Sequence, residues 1–200
     1  MIKPISAVAL FSLTALSLNT HADVKPGVFI GLDLTTSITG TAKAEYEVSG
    51  REVETDTDTN SVSLYLGYRF PTNNRFQISR SSIDVAYDSG SDEEFTGTDF
   101  DWQFVYGEEQ VQPYWGLGFG LYTYEDTAAI TEKDEDLSGI SFQLLAGIKL
   151  DVHEHVELDV SYRVKSIAWQ DITVTNGFSS ETISLSHTSS SLSFGAAIKF

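Results

Sequence analysis

The chain has 200 residues and no cysteine, and 29 acids against 12 bases give it a net charge of −17. That length suits a single domain. The lack of thiols excludes a disulfide framework and a lipid-anchored cysteine, and the charge weighs against nucleic acid and anionic headgroups as electrostatic partners.

The first residues read as a leader. Met1-Ile2-Lys3 carries one positive charge, residues 5–18 are mostly apolar and uncharged, and Thr20-His21-Ala22 ends on a small residue. This is the layout of a secretory signal peptide, 1–22, with cleavage after Ala22. The apolar run is too short to span a bilayer comfortably. Loss of Lys3 leaves 11 bases (12 − 1) against 29 acids, a net −18, on a domain of residues 23–200.

Beyond the leader the dominant signal is alternation with period two, the mark of strands with two unlike faces. In residues 27–36, Val28, Ile30, Leu32 and Leu34 share one face, and Phe29, Gly31, Asp33 and Thr35 the other. A long polar stretch follows. In 61–70, Val62, Leu64, Leu66, Tyr68 and Phe70 oppose Ser63, Tyr65, Gly67 and Arg69, and Pro71-Thr72-Asn73-Asn74 is a tight turn by composition. The segment 75–87 is ambiguous. Phe76 and Ile78 are in one phase and Ile83, Val85 and Tyr87 in the other, which predicts a bulge near residues 80–82.

After a polar loop at 88–96, residues 97–106 set Phe100, Trp102, Phe104 and Tyr106 against Asp99, Asp101, Gln103 and Val105. A short turn leads into 111–124, where Trp115, Leu117, Phe119 and Leu121 alternate with Tyr114, Gly116, Gly118, Gly120 and Tyr122. An acid-rich loop at 125–137 precedes residues 138–150, which place Ile140, Phe142, Leu144, Ala146, Ile148 and Leu150 on one face. A short turn joins this segment to 156–168, with Val156, Leu158, Val160, Tyr162 and Val164 opposite Glu157, Asp159, Ser161, Arg163 and Lys165. A polar stretch at 169–186 leads to the closing segment, where Leu192, Phe194, Ala196, Ile198 and Phe200 oppose Ser191, Ser193, Gly195, Ala197 and Lys199.

The connections alternate long and short along the whole chain, and seven of the eight apolar faces hold no charge. A soluble sandwich has no reason for either regularity. A transmembrane barrel has both, because periplasmic turns are short, outer loops are long, and a lysine or arginine facing lipid at the midplane costs ~2–4 kcal/mol. Each segment is about the ~9–11 residues a tilted strand needs to cross, and closure leaves no unpaired edge in lipid. Phe70, Tyr106, Trp115 and Phe200 lie near the short-turn ends, where an interfacial aromatic girdle belongs.

Pro113-Tyr114-Trp115-Gly116-Leu117-Gly118-Phe119-Gly120-Leu121-Tyr122 resembles the fifth strand of small outer-membrane proteins of the OmpA and OmpX type. Phe142-Gln143-Leu144-Leu145-Ala146-Gly147-Ile148 and Leu158-Asp159-Val160-Ser161-Tyr162-Arg163 resemble their sixth and seventh, and the ending on Phe200 resembles a closing strand read by the barrel-insertion machinery. The resemblance implies an all-β fold, an eight-stranded antiparallel up-and-down transmembrane β-barrel in the bacterial outer membrane with both termini periplasmic, in contact with lipid and lipopolysaccharide. The peptidoglycan-binding domain that OmpA carries is not expected here.

The inward faces are expected to hold Asp33, Asp99, Asp101, Glu157 and Asp159 against Arg69, Lys149, Arg163, Lys165 and Lys199. An eight-stranded barrel is filled by its side chains, so these charges are expected to pair into a plug and not to line a pore. The remaining acids fall in loops, among them Glu45, Glu47, Glu52, Glu54, Asp56 and Asp58; Asp88, Asp92, Glu93 and Glu94; and Glu125, Asp126, Glu132, Asp134, Glu135 and Asp136. They suggest divalent cations at the rim, although Asp56-x-Asp58-x-Asn60 lacks the glycine and the glutamate of a calcium loop. His153-x-His155-x-Glu157 has the residue types of a zinc site but lies at a turn.

His187-x-Ser189 resembles the histidine and serine of outer-membrane lipid A deacylases, but Ser190 stands where they have asparagine, and Glu181 is the last acid available to orient the histidine. No catalytic, cofactor-binding or metal residue is therefore expected. The function expected is that of a non-enzymatic surface barrel serving envelope integrity, adhesion or surface interaction. The alternatives are a lipid A-modifying hydrolase using His187 and Ser189, and a soluble lipocalin-like carrier with its apolar residues inside.

Overall fold

The computed structural model describes residues 25–88, 92–107, 110–124, 136–176 and 179–200. The leader expected at 1–22 and the acids Glu125, Asp126, Glu132, Asp134 and Glu135 lie outside them. Nine strands form one antiparallel sheet: β1 (Gly27–Tyr46), β2 (Glu52–Arg69), β3 (Arg75–Tyr87), β4 (Asp92–Val105), β5 (Val111–Tyr124), β6 (Leu137–His153), β7 (Val156–Trp169), β8 (Ile172–Asn176) and β9 (Ser179–Lys199). β1 to β7 pair in chain order, β7 and β8 both pair with β9, and β9 pairs with β1, so the sheet closes on itself. At Ile183 the β1 side of β9 is taken by Tyr46, which leaves β8 on the side of β7. β7 and β8 are thus one stave broken at Gln170 and Asp171, and the ring has eight staves, as the alternation implied.

The apolar faces point out. Leu32, Leu64, Leu66, Leu117, Phe119, Phe142, Leu144 and Phe194 are all 40 % or more exposed, while Phe29, Asp33, Asp99, Asp101, Gln143 and Asp159 are buried inside. A soluble carrier requires the reverse, so that reading fails for this belt. At the short-turn end the aromatic girdle forms as expected. Trp115 donates its indole N–H to the Tyr106 hydroxyl at 2.8 Å and stacks on Phe104, and Phe70 stacks on Trp102. The first short turn places Asn73 in the left-handed region at φ 64°, which asparagine tolerates. Its side chain accepts from Arg69 Nε and donates to the Gly107 carbonyl, tying two turns together.

Two expectations are corrected. β3 has no bulge: it pairs with β2 and β4 in unbroken register from Arg75 to Ala86, so Ile83 and Val85 point inward with Arg75, Gln77, Ser79 and Ser81. The change of phase is real, but it is the barrel interior that changes from polar to apolar. The extra residue sits in β1, where the register shifts between Ser37 and Thr39 and leaves Ile38 outside and 55 % exposed. A one-residue insertion flips every later side chain. Gly40, Ala42 and Ala44 therefore pair with the inward residues Ser189, His187 and Leu185, and Lys43 and Glu45 are turned out.

The second correction concerns the long loops. β1, β2 and β9 have 20, 18 and 21 residues, about twice a membrane span. The stretch 37–60 is mostly a hairpin and 169–186 contains β8, because Thr, Ser and acids that alternate with Val or Thr still make a two-faced strand. Lys43 bridges Glu45 and Glu52 across that hairpin.

Candidate functional site

Inside the belt the ions pair. Arg75 grips Glu157 with two parallel bonds of 2.6 and 2.7 Å, a bidentate geometry that fixes both side chains. Lys149 reaches Asp159 at 3.0 Å and Glu157 at 3.6 Å, and Tyr114 donates to the other oxygen of Asp159. Arg163 pairs with Asp33, and Lys165 lies 2.7 Å from Asp99, which also accepts from Tyr122. Gln143 donates to Asp101. Lys199 bonds Asp151, while Arg69 faces the Asn73 turn. Arg75, fully buried, was missing from the expected inward set because the phase of its strand was ambiguous; its alternation with Gln77 and Ser79 was the available signal. Gly195 and Gly118 leave the space that Asp33 and Asp101 occupy, since a Cβ at either would collide with the carboxylate.

Above the belt the interior is different. Ile83, Val85, Phe95, Tyr122, Tyr124, Leu137, Ile167, Trp169 and Ile172 form a buried apolar cluster, with Tyr87 and Leu185 packed on it. On the outer face of the barrel around it stand Asp56, Asp58, Arg80, Asp84, Glu94, Thr96, Ser184 and Thr188. This end lies opposite the short turns and so faces the cell exterior. A cavity of about 200 Å³ opens within it. One wall is aromatic, made by Tyr87, Phe95, Tyr124, Trp169 and His187; the other is small, made by Ala42, Ala44, Val53 and Thr55; and Glu93 joins the lining.

His187 sits in this wall with both ring nitrogens engaged. Trp169 Nε1–H donates to Nδ1 at 2.9 Å, and Nε2 lies 2.8 Å from the Tyr87 hydroxyl. An indole nitrogen only donates, so Nδ1 is unprotonated and Nε2 carries the proton. The Tyr87 hydroxyl accepts that proton's bond and donates its own to Glu93 at 2.5 Å. Burial holds the imidazole pKa down to about 4, which keeps the ring neutral. Burial and the bond to Glu93 push the Tyr87 phenol well above its usual range.

Ser189 points inward one alternation below His187, opposite Gly40 and Lys165, but the bonds of His187 go to Trp169 and Tyr87. Glu181 lies far off at the tip, accepting from the Ser49 amide, a bond that lowers its pKa. A base needs a free lone pair toward the serine, and here Trp169 occupies it. The proposed zinc donors also separate: His153 and His155 are exposed at the turn, and Glu157 is buried with Arg75. Asp56, Asp58 and Asn60 lie along one outward strand face, which cannot wrap an ion as a calcium loop does. Among the described residues no three His, Cys, Asp or Glu side chains converge to hold a metal. Glu93, expected on a solvated rim, is in phase with Phe95 and turns inward.

The outer membrane protein beta-barrel domain family matches residues 8–200. The chain belongs to that family. No curated protein matches it in sequence. Among solved structures, it is similar to neisserial surface protein A (17 % identity, TM-score 0.50, covering 88 % of this chain and 100 % of that one). It is likewise similar to the outer membrane protein OprG from Pseudomonas aeruginosa (16 % identity, TM-score 0.53, covering 87 % and 96 %). These likenesses concern the fold. Family membership and the outward apolar belt place this barrel in the bacterial outer membrane, among its lipid and lipopolysaccharide.

Proposed function

We propose that this outer-membrane barrel is a non-enzymatic, sealed scaffold that serves envelope integrity and surface interaction, with its outer strand extension as the recognition end. The observation that carries this reading is the filled bore. Across the belt, Arg75, Lys149, Arg163 and Lys165 are each held by carboxylates from other strands, so these charges pair off inside the barrel. Side chains fill such a lumen, as expected for eight staves. The engaged nitrogens of His187 favour the non-enzymatic role, and the acids on the outward face of β2 supply a charged exterior for partners. Single-channel recording of the purified barrel tests this reading. It predicts a silent baseline; a large, steady conductance would overturn it.

A further inference from the structure

The cavity above the belt is built for a particular chemistry. Five rings face it, and Phe95 packs edge-on against Trp169 and His187 with centroids 4.8 and 4.9 Å apart. The rings therefore hold one another in place and need little ordering when something enters. Glu93 is the acid of the lining, and among the described residues no basic side chain pairs with it. Tyr87 satisfies one of its oxygens, Oε2. Lys43, which borders the lining between Ala42 and Ala44, is turned out and committed to Glu45 and Glu52 at 2.5 and 2.9 Å. The opposite wall is kept small by Ala42 and Ala44, which face inward only because β1 bulges at Ile38. The entrance stands on a protein of net charge −17, which concentrates cations and repels anions.

We infer that this cavity binds a small organic cation, an ammonium group on a short apolar body, with the aromatic wall around the positive charge and Glu93 as counter-ion. Aromatic faces attract such a charge by their quadrupoles, and do so more strongly when it is desolvated. A space of about 200 Å³ suits a compact molecule, being only slightly larger than a cavity of roughly 150 Å³ that takes benzene. The bland alternative, a purely apolar ligand, leaves the Glu93 carboxylate with only the Tyr87 hydroxyl to offset its desolvation.

The inference rests on reading the outer extension as the recognition end, and its test is separable from that reading. Trp169 reports from the cavity wall, whereas Trp102 and Trp115 face outward in the belt. The folded barrel in octyl glucoside micelles, in a background with Trp102→Phe and Trp115→Phe, is titrated with choline and with dimethylbutanol, its uncharged carbon isostere. The expected result is a Trp169 fluorescence change saturating with choline at a concentration about tenfold lower than with the isostere. Glu93→Gln should reduce that preference while leaving the isostere curve in place. Equal binding of the two probes, or no response to choline, overturns the inference, and the comparison holds even if the Glu93 variant does not fold. A barrel that conducts and still prefers choline overturns the sealed scaffold alone.

Discussion

The belt and the outer extension are the same eight staves with opposite polarity. In the belt, Leu64 and Leu66 of β2 face out while Ser63 and Tyr65 face in; higher on the same strand Asp56 and Asp58 face out, and Val53 and Thr55 line a cavity. The backbone ladder does not change between the two. What changes is the solvent around it, and each face takes the residues its surroundings permit. The lower half is a membrane barrel with an ionic plug. The upper half is built like a soluble barrel, apolar inside and polar outside, which is the arrangement a carrier reading would have given the whole chain.

The largest break in this contrast should come from the plug. Arg75→Ala leaves Glu157 buried without its bidentate partner, and breaking a buried pair in this way costs ~3–5 kcal/mol. Urea unfolding of the refolded barrel should show that loss, while Arg75→Met combined with Glu157→Leu should recover most of it. A single change as mild as the double one would mean that the pair is not desolvated.

Next come matched charges outside. Leu117→Arg faces lipid near the middle of the belt and should cost ~2–4 kcal/mol. Thr41→Arg, outward on the extension, should stay within about 0.5 kcal/mol, as for ordinary surface substitutions. Equal costs at the two sites would erase the boundary between belt and extension.

The smallest effect is local. The pKa of His187 falls from 6.5 to about 4 on folding, so an opened extension binds a proton more readily than the closed one. Stability of the Trp169–His187–Tyr87–Glu93 cluster should be full above pH 6.5, decline as pH falls toward 4, and level off below that. Amide exchange at Phe95 and Trp169 follows this, with the belt amides unchanged; a flat profile through the window would contradict the buried neutral ring.

The belt was legible in the sequence because lipid enforces a clean period of two with no charge on the outer face, and a single chain displays that rule in nearly every segment. The extension was not, for two physical reasons. Polar strands such as 52–60 carry the same alternation, but with threonine and acids, which composition alone assigns to loops. The reversal of the interior from Ser81 to Ile83 imitates a bulge, whereas the true bulge at Ile38 lies in a run of small and polar residues where no hydrophobic phase marks it. His187 stood out in the sequence only through Ser189, to which it is not bonded. Its partners Trp169, Tyr87 and Glu93 come from three other strands, and only the closed ring brings them together.

The polarity switch itself is tested most directly by a spin-label scan along β2, where a cysteine-free chain allows one label at a time. The account predicts oxygen-favoured, lipid-like accessibility at Val62, Leu64 and Leu66, water-favoured accessibility at Glu54, Asp56 and Asp58, and protection from both at Thr57 and Ser63 between them. An oxygen preference that runs unbroken to Glu54, or that appears on the odd-numbered positions, would contradict it.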